Sequence, residues 1–348
     1  MDASPRMPKA VRLRSLFDNP VPGVRHPFMG CTKTCSRYTH RRGSRPMLEF
    51  RAAWPAEIVE AFRQVHAEWP HADQVDEHVA RRLASVQHGR ATWFVGCLKG
   101  KVVCSLGAYP YHAFGPVGSR PARVFGAVYT VAEHRRQGYA AELVRSVIAH
   151  YGRQGVTEFA LFSDIAPGYY ERLGFCTLPS FEWSIDAAAV PSPAGFEPDI
   201  QTTAPARAGT MGCSCGFLCH PEDDVWIMAK QGNCRLSFWG SLDRKQNYWL
   251  RSRLDGEDLY TLLESNMPQT ALAWSDFRSV VAADAQKCGA RWVRGWWTSP
   301  EAKPGKHQVE VRPREREILM WLSTRGPQES WSGSLRAGGF RAFLSDHV

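Results

Sequence analysis

The sequence predicts a mixed α/β protein of two folded units, and three observations carry that prediction. Apolar residues alternate in some stretches and recur every three to four residues in others, and the two patterns are interleaved along the chain. A strand-like run, a basic glycine-bearing turn and an amphipathic helix follow one another without a break between Val128 and Tyr151. A stretch rich in Pro, Ala, Gly and Thr then separates two apolar-patterned regions. The expected divisions are an arm over 1–46, a first unit over 47–186 that carries the site, a linker over 187–215 and a second unit over 216–348.

Residues 1–46 mix Pro, Gly, Arg and Ser without a sustained apolar period, which predicts disorder. A short strand is expected at Leu48–Arg51. Pro55 then opens a helix whose Ile58, Val59, Phe62 and Val65 share one face. A second helix follows over Val75–Val86. Thr92–Leu98 and Val102–Ala108, joined by Lys99-Gly100, read as a hairpin. Arg123–Val131 is the next strand. From Gly138, the apolar residues Leu143, Val144, Val147, Ile148 and Tyr151 define a helix that ends near Gly152 and Gly155. Glu158–Ser163 is a buried-type strand, Gly168–Leu173 a short helix, and Phe175–Ile185 one or two closing strands. In the second unit, strands are expected at Val225–Ala229, Arg235–Ser241, Tyr248–Arg253, Arg291–Trp296, Ile318–Trp321 and Phe340–Leu344, with a helix over Asp276–Gln286.

The formal charge is +9, yet ten cationic residues against only Asp2 and Asp18 lie within the first 46 positions. The body is close to neutral, so a nucleic-acid partner is not expected. An Arg-rich, acid-poor arm is read three ways: a disordered tail, an organelle transit peptide, or residues ahead of a later start at Met29 or Met47. No apolar run of about 20 residues is present, so no membrane span is expected and the cytoplasm is the expected compartment. The ten cysteines are too dilute for a disulfide scaffold. Cys31 with Cys35, and Cys213, Cys215, Cys219 with His220, are local clusters; the second lacks the paired spacing of zinc modules, and no metal is expected.

The chemistry lies in VYTVAEHRRQGYAA, Val128 to Ala141. Unpaired amides at a helix N-terminus, with the helix dipole, bind a pyrophosphate without specific side chains. Gly138 permits close backbone approach, and Arg135 and Arg136 add positive charge. About 25 residues later comes PGYYERLGF, Pro167 to Phe175.

The two segments together resemble the signatures of the GNAT superfamily of N-acetyltransferases. Arg135, Gly138 and Ala140 match its coenzyme A loop, and a tyrosine-bearing helix before Leu173-Gly174-Phe175 matches its second motif. The resemblance covers residues 48–185 and implies the acyl-CoA N-acyltransferase fold. It implies acetyl-CoA as acyl donor, backbone contacts from Val128, Tyr129 and Thr130 to the pantetheine arm, and a pyrophosphate held by Arg135, Arg136, Gln137, Gly138, Tyr139, Ala140 and Ala141. It places Ser163 and Asp164 where donor and acceptor meet, although Asp164 is equally suited to capping the next helix. Tyr170 holds the position of the family's general acid, with Tyr169 the competitor expected to pack in the core. A phenol with a pKa of about 10 protonates a leaving thiolate without ionising at neutral pH. Glu133, His134 and Asp164 are close in sequence, and none is assigned as base.

The second unit resembles the degenerate acetyltransferase-like half of fungal lysine N-acetyltransferases. Mycobacterial enhanced-intracellular-survival acetyltransferases share the HRR-G turn; their plan would make the carboxylate of Val348 a base. The expected acceptor is a small-molecule primary amine such as lysine or a polyamine. A protein lysine or N-terminus, and an acyl-CoA sensor without turnover, are the alternatives. Trp226, Trp239, Trp249, Trp274, Trp292, Trp296 and Trp297 are expected mainly in the core rather than in an acceptor pocket.

Overall fold

The computed structural model describes residues 48–115, 118–193, 197–201, 216–220, 235–240, 247–266, 274–297, 309–325, 340–341 and 347. The expected strand at 225–229, and the cysteines at 31, 35, 213 and 215, lie outside the described residues, as do Trp226 and Val348.

Strand β1 (Glu49–Ala52) leads into α1 (Pro55–Gln64), α2 (Val75–Ala84) and α3 (Val86–Arg90). Pro at the first helical position and Glu57, whose carboxylate accepts the Trp54 amide at 2.8 Å, start α1. Phe62 on α1 and Val79 on α2 close against Trp93. Next come β2 (Thr92–Leu98), β3 (Lys101–Gly115) and β4 (Gly118–Thr130). Lys99 and Gly100 both have positive φ, +50° and +76°, the backbone of a tight hairpin turn whose twist matches the strands. Both β3 and β4 run well beyond the expected apolar stretches.

Helix α4 (Tyr139–Gly152) is the crossover that parallel strands require, carrying the chain from β4 to β5 (Glu158–Ser163). Its Leu143, Val144 and Val147 are buried with Phe125, Phe159 and Leu161. After α5 (Gly168–Glu171), β6 (Cys176–Thr177) ends this run of the chain, and β7 (Phe181–Asp186) begins the other sheet.

The rest comprises β8 (Asp199–Gln201), β9 (Gly216–Cys219), β10 (Arg235–Gly240), β11 (Asn247–Asp255), β12 (Leu259–Ser265), α6 (Trp274–Lys287), β13 (Trp292–Trp297), β14 (Glu310–Pro313), β15 (Ile318–Ser323) and β16 (Phe340–Arg341). The first sheet runs β1-β2-β3-β4-β5-β15-β6, with β9 paired to the far end of β3 and β16 to β9. The second runs β14-β7-β13-β12-β11-β10-β8. Phe277, Val281 and Ala285 of α6 pack there against Leu250, Tyr260 and Val293. Ala187 and Val190, expected to open a linker, are buried in the same core. Trp249 and Trp296 are buried, whereas Trp292 is 42% exposed beneath the Arg291 guanidinium.

Each sheet therefore holds a strand drawn from the other part of the sequence. β7 pairs with β13 and β14, while β15 pairs antiparallel with β5 from Ile318↔Ser163 to Ser323↔Glu158. Glu158 fastens this junction: fully buried, it accepts from Arg120 at 3.1 Å, the Trp321 indole at 2.9 Å and Ser323 Oγ at 3.1 Å. Glu158→Gln keeps the shape and removes the charge that three donors share. The expected loss is about 2 kcal/mol, seen as a lower urea midpoint at unchanged slope.

Candidate active site

Strands β4 and β5 pair in parallel over only four positions, Ala122↔Glu158 to Phe125↔Leu161. Beyond Phe125 they part. The cause is visible on the other edge of β4. There Gly126 pairs with Gly107 and Tyr129 with Ser105, so Ala127 and Val128 face Leu106 alone. This extra residue is a β-bulge, and Ala127 takes φ +47°, rarely tolerated by a residue with a Cβ. The bulge bends the end of β4 away from β5, and the inner backbone edge of Val128–Thr130 faces the opening.

A cavity of about 1090 Å³ occupies this opening. Val128, Tyr129, Thr130, Arg135, Arg136, Gly138, Tyr139, Ala140, Asp164 and Tyr170 line it. Gln137, Ala141 and Ser163 are not among the lining residues. Ser163 is buried, and its hydroxyl fastens the turn by donating to the Ile165 carbonyl at 2.8 Å.

The loop before α4 is shaped by two left-handed residues, Arg136 at φ +61° and Gly138 at φ +85°. The first main-chain bond of α4 runs from the Glu142 amide to the Gly138 carbonyl, 3.0 Å. The amides of Tyr139, Ala140 and Ala141, ahead of it, are the donors a helix start leaves without an intrahelical partner. Apart from its chain neighbours, no atom of the described residues lies within 4 Å of where a Gly138 Cβ would stand, leaving room for a ligand at the backbone. Arg135 braces the loop: its Nε donates to the Thr130 carbonyl at 3.0 Å, and its guanidinium pairs with Glu68 at 2.7 Å and lies over the Tyr129 ring. Thr130 Oγ1 is buried without a partner among the described residues.

Tyr170 sits on the other wall. It is 7% exposed, and its hydroxyl has no hydrogen-bond partner among the described residues. Burial, with lesser contributions from Tyr169 and Asp164, pushes that hydroxyl well above the ordinary tyrosine range. Tyr169, expected in the core, is half-buried and also lines the cavity, with its ring 4.9 Å from that of Tyr170. Asp164 caps no helix. Its carboxylate accepts the Trp69 indole N–H and the Glu317 amide, each at 3.3 Å, tying the segment after α1 and the start of β15 to the end of β5. His134 is half-buried at the loop, and Glu133 is exposed.

Several lining residues escape sequence reasoning. Glu68, Trp69 and His71 come from the segment between α1 and α2, Arg82 from α2, and Arg316, Glu317 and His347 from the far end of the chain. Each is an ordinary polar or aromatic residue in its local context, and only the fold gathers them. His71 is pushed down to about 4, by burial first and then by the Arg82 cation, so its imidazole is neutral at pH 7. Of the cysteine–histidine cluster, Cys219 and His220 are described; both are buried, and the His220 ring meets the edge of Tyr111. Among the described residues, no group of three His, Cys, Asp or Glu could hold a metal ion, and no helix is long and apolar enough to cross a membrane.

Residues 49–178 match the family model described as an acetyltransferase (GNAT) domain. No curated protein matches the chain by sequence. Among solved structures the chain is similar to a conserved protein of unknown function, probable N-acyltransferase, from Enterococcus faecalis: 12% identity, TM-score 0.60, 79% of this chain and 72% of that one. It is also similar to a GCN5-related N-acetyltransferase from Kribbella flavida, at 16% identity and TM-score 0.58, covering 79% and 70% of the two chains. Eis1 from Mycobacterium abscessus matches at 12% identity and TM-score 0.52, covering 80% and 73%. At such identities the likeness is one of fold, and it extends well past residue 178.

Proposed function

From the premise that residues 49–178 form a GNAT acetyltransferase domain, we propose that this enzyme moves an acetyl group from acetyl-CoA to the primary amine of a small molecule by direct attack. The observation that carries the reading is the parting of β4 from β5 at Phe125↔Leu161, with the α4 loop at one end of the opening and Tyr170 on its wall.

The residues present suit the donor. Val128 and Tyr129 offer an open strand edge, to which the pantetheine amides add as a further strand would. The amides of Arg136 to Ala141, with the positive end of the α4 dipole, hold the pyrophosphate. Gly138 keeps that approach clear, and Arg136 adds a cation. The buried Thr130 hydroxyl gains a partner from the same arm.

The acceptor nitrogen attacks the thioester carbonyl, the C–S bond breaks, and Tyr170 O–H supplies the proton to the departing sulfur. The elevated Tyr170 pKa suits an acid that must arrive protonated. Neutral His71 and the Trp69–Asp164 bridge narrow the space in which an amine loses its water.

The test is release of free coenzyme A thiol by the full chain against amino acids, small amines, polyamines and lysine peptides. Turnover of small amines supports the reading. Turnover confined to peptides moves the acceptor to a protein, and tight acetyl-CoA binding without turnover on any amine replaces the enzyme with a sensor.

A further inference from the structure

Along α2, Val75, His78, Val79 and Arg82 recur at the spacing of one helix face, and that face is turned inward. Its last position would ordinarily hold an apolar residue. Leu83, next to it, is instead 47% exposed, while Arg82 is 3% exposed. The buried guanidinium has very little to hold it. Nη2 reaches the Trp69 carbonyl at 3.5 Å, and the group lies 5.6 Å from the Phe62 ring centroid. Nε and Nη1 have no partner, and no carboxylate pairs with Arg82 among the described residues. A buried, uncompensated cation is costly to a fold, because neither water nor a counter-ion repays its lost hydration.

Arg82 lines the same cavity as Tyr170. Its place within that cavity follows from Tyr109, its close neighbour, which pairs with Val124 on β4. Val124 lies six positions before Thr130 on β4, on the body side of the opening, while the Trp69 carbonyl that Arg82 reaches is one residue from Glu68, the partner of Arg135; the KM for acetyl-CoA in Arg82→Met therefore separates an acceptor contact from a donor-phosphate contact. The carboxylates that line the cavity are all engaged elsewhere: Glu68 with Arg135, Asp164 with Trp69, Glu317 near His347.

We propose that Arg82 receives an anionic group of the acceptor, so that the preferred substrate is an amine that also carries a carboxylate or a phosphate. The proposal rests on the acetyl-transfer reading above and narrows it: lysine and related amino acids fit, and polyamines do not. A planar guanidinium with unused N–H groups is suited to two parallel bonds to carboxylate or phosphate oxygens. Docking there fixes one end of the acceptor and leaves its amine for the thioester.

The experiment compares matched pairs in the thiol-release assay: L-lysine against cadaverine, and phosphoethanolamine against ethanolamine. The acidic member of at least one pair should show a kcat/KM higher by about tenfold or more. Which pair shows it decides between carboxylate and phosphate. Arg82→Met should collapse that preference through a raised KM for the acid, with the KM for acetyl-CoA unchanged, and Arg82→Lys should fall between. Ligand-free Arg82→Met should melt no lower than the wild type, because it removes an unpaired charge; a lower melting temperature assigns Arg82 to the framework and overturns the proposal. Equal turnover within both pairs, or equal loss on both members in Arg82→Met, overturns it too. Should no amine turn over, the acetyl-transfer reading fails, and calorimetric titration of L-lysine and phosphoethanolamine into the coenzyme A-saturated protein still decides this one. Binding abolished in Arg82→Met supports the site, and binding that is absent or indifferent to Arg82 sinks it.

Discussion

Tyr170→Phe is expected to lower kcat by about 10² to 10³, the contribution typical of a well-placed general acid, while acetyl-CoA binds as before. The phenyl ring keeps the packing against Tyr169 and Phe175 and removes only the hydroxyl. That hydroxyl makes no hydrogen bond among the described residues, so its loss leaves no orphaned partner and stability should be unchanged. The pH dependence provides a second readout. An acid must be protonated to act, and burial raises the Tyr170 pKa above its ordinary value. Activity should therefore show no alkaline fall attributable to Tyr170 below about pH 10. Single-turnover rates with saturating acetyl-CoA check both statements. If Tyr170→Phe retains full kcat, the proton comes from elsewhere, and Tyr169→Phe is the next variant to measure.

Gly138→Val is expected to weaken acetyl-CoA binding by about 100-fold, measured by calorimetry. Two costs combine. A β-branched residue held at φ +85° is strained by about 1 to 2 kcal/mol, which the loop relieves by moving its amides out of line. The new side chain would also stand in the clear space beside the backbone, where the pyrophosphate must approach. Because none of the described residues occupies that space, the fold itself should tolerate the change with a small drop in melting temperature. A variant that binds acetyl-CoA normally would remove the α4 loop from the phosphate site.

The contrast between these two positions and the rest of the cavity shows which parts of a site a sequence exposes. Gly138 and Tyr170 each lie in a contiguous segment that resembles a family signature, so the sequence offers both as candidates. The Lys99-Gly100 turn and the faces of α1 and α4 were legible from spacing within one segment. The bulge at Ala127 was not, because the adjacent Gly126 reads as an ordinary strand position and the residue that takes the left-handed backbone is an alanine. β12 escaped because LYTLLES lies between two strands with six consecutive residues, from Tyr260 to Ser265, buried, and so loses the alternation that marks a half-buried strand. Arg82 looks like its neighbour Arg81, which pairs with Glu77 on the surface. Only the packing of α2 separates a solvated arginine from one facing the cavity. The return of β15 to the first sheet depends on pairing across more than 150 positions, and no local pattern encodes a partner at that distance.

That return has a consequence for how the protein comes into being. A ribosome delivers the segment with the α4 loop and Tyr170 long before it delivers Ile318–Ser323. Until then one edge of β5 and the indole-binding side of Glu158 stand open to any passing strand, a hazard during synthesis rather than in the finished molecule. The segment that matches the acetyltransferase model is thus no cassette that could be cut at residue 178 and grafted elsewhere: its sheet is finished by a strand from far downstream in the sequence.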